Sequence, residues 1–176
     1  WVWEHQALTR ARCCAGDRQI GEEFERIRCE VLCRSRDLEE LKREVLSMRR
    51  RMMEAHANKS EMFDLKHDRG GLIDVEFIVQ YLVLGHAHAH PRLTANLGNI
   101  ALLRIAAEEG LIDAALAQRC ADAYRHYRKL QHRLRLNNAE YARVEPAEVA
   151  DAAAAVRALW KDVFGAAAER PAPALS

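Results

Sequence analysis

The chain has 176 residues, of which 49% are apolar and 30% charged, and its formal net charge is +1. This length allows one domain with a substantial core, and the composition, with only four prolines, is typical of a helical globular protein. The near-zero net charge argues against a protein whose whole surface binds nucleic acid or an anionic membrane.

Helix signals alternate with caps and breakers along the whole chain. They predict an all-α fold, a bundle of about six to seven helices with one short extended segment before the central helix. The first helix is expected to end near Gly16. Further helices are expected from Asp17 to about Cys33, from Asp37 through Met52, from about Leu72 to Leu84, from the cap Thr94 to Gly110, from Asp113 to about Leu136, and from Glu145-Pro146 to Phe164.

The central helix is apolar on nearly every side, which predicts that other helices surround it. The second helix has its own apolar set, Ile20, Phe24, Ile27, Val31 and Leu32, which is expected to face the core. The helical domain is predicted to span residues 1–165, and residues 166–176, with Pro171 and Pro173, are predicted to form a disordered tail.

Polar residues within the central helix need compensation. A carboxylate in apolar surroundings costs several kcal/mol unless a cation or hydrogen-bond donors compensate it. Glu76 is therefore predicted to be mostly buried in a structural ion pair, with Arg49 as the first choice of partner and an arginine of the sixth helix as the second. Asp74, near the third helical position, fits ordinary capping of exposed amides.

The glycine pair before this helix has two interpretations. Gly70 and Gly71 either supply unusual backbone angles or allow a phosphate to approach the helix start closely. Both remain open at this point, because a lone Gly-Gly before a helix is a weak phosphate signal.

Metal-ligand spacing is weak throughout the sequence. Cys29 and Cys33 are four apart, but no second ligand pair has suitable spacing, and Pro91 disfavours a helix that would align His90 with His86. No metal site is expected. The five cysteines, Cys13, Cys14, Cys29, Cys33 and Cys120, form no Cys-x-x-Cys pair, which is typical of a reduced, cytoplasmic protein.

A basic stretch occupies the second half of the sixth helix. Without an interleaved aromatic ladder, it favours a solvated or partner-facing surface over direct nucleic-acid contact, so nucleic acid and membranes are not expected partners. Its residues are Arg119, Arg125, Arg128, Lys129, Arg133 and Arg135.

Several motifs together resemble the C-terminal helical region of the bifunctional glutamine synthetase adenylyltransferase/deadenylylase family, over almost the whole chain. They are Trp3-Glu4-His5-Gln6-Ala7-Leu8, Met48-Arg49 with Met52, Phe63-Asp64-Leu65-Lys66 before Gly70-Gly71, and Asp74 with Glu76-Phe77-Ile78 and Gln80-Tyr81-Leu82-Val83-Leu84. A looser version of the Lys66 to Asp74 pattern is similar to the helical domain of PII uridylyltransferase.

The resemblance implies a preceding nucleotidyltransferase domain that holds ATP and magnesium, and an enzyme that adenylylates and deadenylylates a tyrosine of glutamine synthetase under control of the PII protein. This segment would be an accessory domain, inactive alone and without a cofactor of its own. It also implies that Lys66, Asp68, Gly70, Gly71 and Asp74 face the nucleotide or substrate cleft.

Two other functions remain open. One is a regulatory module that binds PII or glutamine synthetase without touching nucleotide, and the other is a helical nucleic-acid or scaffold module. The placement of Lys66, Asp68, Gly70 and Asp74 distinguishes the enzyme subdomain from the interaction module. Exposure of these residues on one open surface would favour the enzyme subdomain, whereas their burial would favour the interaction module.

Overall fold

The computed structural model describes residues 2–165, with side chains from Glu4 onward, so the predicted tail, residues 166–176, lies outside the described part. The all-α prediction is confirmed. The seven α-helices of the described residues are α1 (Val2–Leu8), α2 (Arg18–Leu32), α3 (Leu38–Ala55), α4 (Leu72–His86), α5 (Asn99–Glu108), α6 (Ala114–Leu136) and α7 (Ala150–Phe164), with 3-10 turns at Pro91–Thr94 and Pro146–Val149.

Helix α4 is the centre of the bundle. Twelve of its fifteen residues are buried, and α1, α3, α5, α6 and α7 all pack against it. An apolar surface on every side of one helix can be removed from water only when neighbours cover it on several sides. The predicted central helix is therefore confirmed.

Aspartate caps define three helix starts as predicted. The carboxylates of Asp17, Asp37 and Asp113 accept hydrogen bonds from backbone N–H groups in the first turns of α2, α3 and α6. These amides have no partner within their own helix, so each cap stabilises the start of its helix locally.

Three predicted helix boundaries were wrong. Helix α7 starts at Ala150 and not at Glu145-Pro146, because Pro146–Val149 form a 3-10 turn first. Helix α1 ends at Leu8 and not near Gly16; the Thr9 hydroxyl donates to the Gln6 carbonyl at 2.7 Å, so a side chain competes for an acceptor in the last turn. Thr94 does not cap α5, because its hydroxyl donates to the Pro91 carbonyl within a 3-10 turn, and Gly98 precedes the helix instead.

The buried face of α2 also differs from the prediction. Ile20 and Ile27 are 72% and 46% exposed, whereas Arg28 is almost fully buried. The Arg28 guanidinium pairs with Glu25 and donates to the carbonyls of Leu8 and Thr94. Bonds to three parts of the chain satisfy this buried cation, and Arg28 occupies the buried face of α2 together with Leu32, while Ile20 and Ile27 face outward.

The extended segment before α4 is confirmed as a short strand, β1 (Phe63–Asp64). It pairs antiparallel with β2 (Arg143–Val144), in the register Phe63 with Val144 and Asp64 with Arg143. The partner strand was not predicted. This pairing joins the connection after α6 to the turn that precedes α4, and it holds that turn against the bundle.

Candidate functional site

Two aspartates fold the turn between β1 and α4, residues 65–71, which we call the glycine turn. Asp64 accepts hydrogen bonds from the backbone N–H groups of Lys66 and His67, both at 2.9 Å. Asp68 accepts from the N–H of Asp64 at 2.8 Å and from the Asn58 amide at 2.9 Å. The carboxylate of Asp68, one of the predicted cleft-facing groups, therefore binds protein donors.

The two glycines are enclosed by other parts of the chain. Gly70 has φ +87°, and a Cβ there would lie 2.7 Å from the Ala153 carbonyl oxygen of α7; a Cβ on Gly71 would lie 2.8 Å from the Leu65 carbonyl oxygen. The Tyr127 hydroxyl of α6 donates to the Gly70 carbonyl at 2.9 Å. Close packing thus accounts for both glycines, and Gly70 has in addition a left-handed backbone.

The backbone donors at the start of α4 are also occupied. The N–H of Gly70 donates to Asp74 at 2.6 Å, that of Gly71 to the Asp68 carbonyl, and those of Leu72 and Ile73 to carbonyls of the turn. A phosphate bound at a helix start needs free N–H groups there. Of the two interpretations of Gly-Gly, this geometry supports the structural one.

Arg49 pairs with Asp74, and the predicted Arg49–Glu76 pair was wrong. Arg49 Nε lies 2.6 Å from Asp74 Oδ1, and both side chains are more than nine-tenths buried. Arg49 Nη2 also donates to the His67 carbonyl at 2.8 Å, and Asp74 Oδ2 accepts from Gly70. Because Asp74 lies about 160° around α4 from Glu76, taking 100° per residue, only Asp74 faces α3 and the turn. We call Arg49, Asp74 and Gly70 the brace.

Glu76 is half-buried rather than mostly buried. It accepts one long hydrogen bond, at 3.3 Å, from the Tyr124 hydroxyl of α6. Burial and then the Glu76 carboxylate raise the pKa of Tyr124, which keeps the phenol protonated and able to donate. Partial contact with water replaces the cation that full burial would have required.

Asn99, at the start of α5, is almost fully buried and accepts a hydrogen bond from Arg10 Nη1 at 3.3 Å. Lys66 is the most open of the predicted cleft-facing residues. Its side chain is exposed, that of Asp68 is half-buried, and Gly70, Gly71 and Asp74 are buried. The five residues are neighbours, but they do not form one open surface.

Sequence reasoning missed two contributions to this region. Tyr127 was not among the predicted site residues, although its hydroxyl binds the glycine turn. Arg69 and Arg157 were not among them either, although Arg157 Nη1 lies 3.5 Å from the Arg69 carbonyl. Tyrosine at a core position is a detectable signal, because a buried hydroxyl needs a partner. The cationic pair had no local signal.

The described residues contain no group of three or more His, Cys, Asp or Glu side chains arranged to hold a metal ion, and none of their helices is long and apolar enough to cross a membrane. His90, part of the histidine cluster, contacts Glu109 at 2.8 Å. Burial raises the pKa of the Cys120 thiol to about 12.

Comparison with known proteins agrees with the motif resemblance. The chain is 67% identical over 95% of its length to a bifunctional glutamine synthetase adenylyltransferase/adenylyl-removing enzyme of Aromatoleum aromaticum, covering 18% of that protein. Enzymes of the same description are 54% identical in Nitrosomonas europaea and 57% identical in Burkholderia pseudomallei, each over 94% of this chain, which covers 19% and 18% of them.

The chain therefore spans less than a fifth of the length of these relatives. A family model described as GlnD PII-uridylyltransferase matches residues 39–161. This match includes the brace, the glycine turn and most of the bundle. Because it covers well over half of the residues, the chain belongs to the GlnD PII-uridylyltransferase family, and its predicted similarity to a segment of glutamine synthetase adenylyltransferases is confirmed.

Proposed function

We propose that this chain is a helical accessory domain of an enzyme that adenylylates and deadenylylates glutamine synthetase. The observation that carries the proposal is 67% identity over 95% of the chain to a protein more than five times longer. The proposal includes a nucleotidyltransferase domain that uses ATP and magnesium in the same polypeptide, regulation by PII and a cytoplasmic location.

The role proposed for the domain is to support the catalytic domain. The carboxylates of Asp64, Asp68 and Asp74 bind amides and a guanidinium within the turn and the brace. Carboxylates used in this way hold the turn rigid against α4, which suits a platform for a neighbouring domain. Lys66, exposed on that turn, is the group proposed to reach the nucleotide or substrate cleft.

Substitution of Lys66 in the full-length enzyme tests this role. Lys66→Ala should lower AMP transfer to glutamine synthetase without lowering the melting temperature, because the side chain is exposed. Lys59→Ala, an exposed lysine in the preceding loop, is the matched control. Equal transfer rates for the parent enzyme and both variants would contradict a cleft-completing role.

A second candidate function is a regulatory module that binds PII or glutamine synthetase. Two observations favour it: most of the motif is buried, and Ile20 and Ile27 expose an apolar face on α2. Exposed apolar residues grouped on one face are common at protein–protein interfaces. Calorimetric titration of the chain with PII and with glutamine synthetase tests this function, and Ile20→Lys with Ile27→Lys should abolish any complex made through α2.

A further inference from the structure

A cleft opens between the glycine turn and α7. Its volume is about 510 Å³, and its lining consists of Arg69, Asp74, Ala154, Arg157, Ala158, Trp160 and Lys161. Small-molecule sites typically occupy about 300–1,000 Å³, so this cleft is large enough for a compact ligand.

The charge in this cleft is strongly positive. Arg157 and Lys161 lie four residues apart on α7, both exposed, and Arg69 reaches the same space from the turn. Neither Arg157 nor Lys161 forms an ion pair with another described residue. Like charges at this spacing on a helix repel one another, and a bound anion would remove that repulsion.

The one carboxylate in the lining does not offset these cations. Asp74 already accepts from Arg49 Nε and from the N–H of Gly70, each at 2.6 Å. Its negative charge is matched by the positive charge of Arg49 within the brace. Arg157 and Lys161, which form no ion pair with another described residue, thus leave a positive charge in the cleft beside Arg69.

A buried donor adjoins the same space. Trp160 lines the cleft and is only 5% exposed, and its indole Nε1 has no hydrogen-bond partner among the described residues. Buried N–H groups are nearly always hydrogen-bonded, so the Trp160 N–H is a donor that an oxygen of a bound ligand could satisfy.

We propose that this cleft binds a phosphate-bearing small molecule, with Arg69, Arg157 and Lys161 holding the phosphate oxygens and the Trp160 N–H as a further donor. Several oxygens with more than one negative charge match Arg157 and Lys161, with Arg69 beside them, better than the two oxygens of a single carboxylate do. The concave lining and the buried indole also fit a small ligand better than a flat acidic protein surface. The site goes beyond the proposed function and needs no enzyme activity.

Calorimetric titration of the chain with inorganic phosphate, tripolyphosphate and metal-free ATP tests the proposal. At least one of these should bind, and Arg157→Gln with Lys161→Gln should weaken that binding about tenfold or more, because two charge-assisted contacts are lost. The matched control, Lys129→Gln with Arg135→Gln, removes the same charge from exposed positions on α6 and should bind as the parent does.

The three phosphate ligands distinguish which chemical group the cleft recognises. Binding of ATP and tripolyphosphate alike would indicate recognition of a phosphate chain, binding of ATP alone a nucleotide, and binding of inorganic phosphate a single phosphate group. Circular dichroism should show that the variants are folded, and Lys161→Gln alone serves if the double variant is not. Absence of binding at millimolar ligand, equal weakening by the control, or tighter binding of a glutamate-rich peptide would overturn the proposal.

Discussion

At the scale of single residues, one buried ion pair explains most of the polar chemistry of the central helix. Arg49 and Asp74 compensate each other, and Arg49 Nη2 and Asp74 Oδ2 each bind the glycine turn. Helix α3, the turn and α4 are therefore tied together at one point. Removing one member of such a pair leaves the other charge buried and uncompensated.

Gly70 should tolerate no side chain. Gly70→Ala places a Cβ 2.7 Å from the Ala153 carbonyl oxygen at φ +87°, and the backbone strain alone should cost about 1–2 kcal/mol. Gly98→Ala is the matched control, because Gly98 has negative φ and open space around it. Urea unfolding of the two variants checks this, and equal stability would contradict the close packing described for Gly70.

At the scale of elements, features set by neighbouring residues in the sequence could be predicted, and features set by tertiary contacts could not. The starts of α2, α3 and α6 could be predicted because an aspartate cap acts within its own first turn. The burial of Arg28 and the exposure of Ile20 could not, because they depend on carbonyls of Leu8 and Thr94, which lie far away in sequence.

The same distinction between local and tertiary features applies to the candidate site. The turn, its glycines and the polar residues of α4 were located correctly from Phe63 to Glu76. The partner of Arg49 was not, because the charge pattern offers two carboxylates on α4 and only packing decides which of them faces α3. The cleft lined by Arg69 and Arg157 required knowledge of where α7 packs.

The titration of His86, at the end of α4, should make the stability of the fold depend on pH. Burial, followed by the nearby His90 and His88, lowers the pKa of His86 below its ordinary value of 6.5. The unfolded chain then binds more protons, so this contribution to stability is complete above pH 6.5 and is lost as pH falls through the lower, folded pKa.

Thermal melts at about pH 7.5 and pH 5.5 should therefore show a lower melting temperature at the acidic value, and His86→Gln should reduce the difference. Burial also lowers the pKa of His5 and His67, so part of the pH dependence should persist. A His86→Gln variant with the full pH dependence of the parent would contradict the assignment to His86.

At the scale of the whole molecule, α4 occupies the centre of the bundle, and the cationic cleft lies at the surface between the glycine turn and α7. The chain covers less than a fifth of its relatives, and the accessory role proposed for its bundle depends on a separate catalytic domain. Nothing in the brace supplies catalytic carboxylates, because the brace and the turn use theirs internally.

The chain alone should transfer no AMP from ATP to glutamine synthetase. This follows from the proposed role as a support for a separate nucleotidyltransferase domain. An assay with radiolabelled ATP, magnesium and glutamine synthetase checks it, with a full-length enzyme of the Aromatoleum aromaticum type as the positive control. Labelling of glutamine synthetase by the chain alone would contradict the accessory role.

The most direct test of the brace compares two carboxylate-to-amide substitutions on α4 in urea unfolding. Asp74→Asn should lower the free energy of unfolding by about 3–5 kcal/mol, because the buried Arg49 loses its counter-charge. Glu76→Gln, at a half-buried position with one 3.3 Å contact, should cost far less. Equal losses, or a larger loss for Glu76→Gln, would contradict the brace as the feature that holds the glycine turn on the bundle.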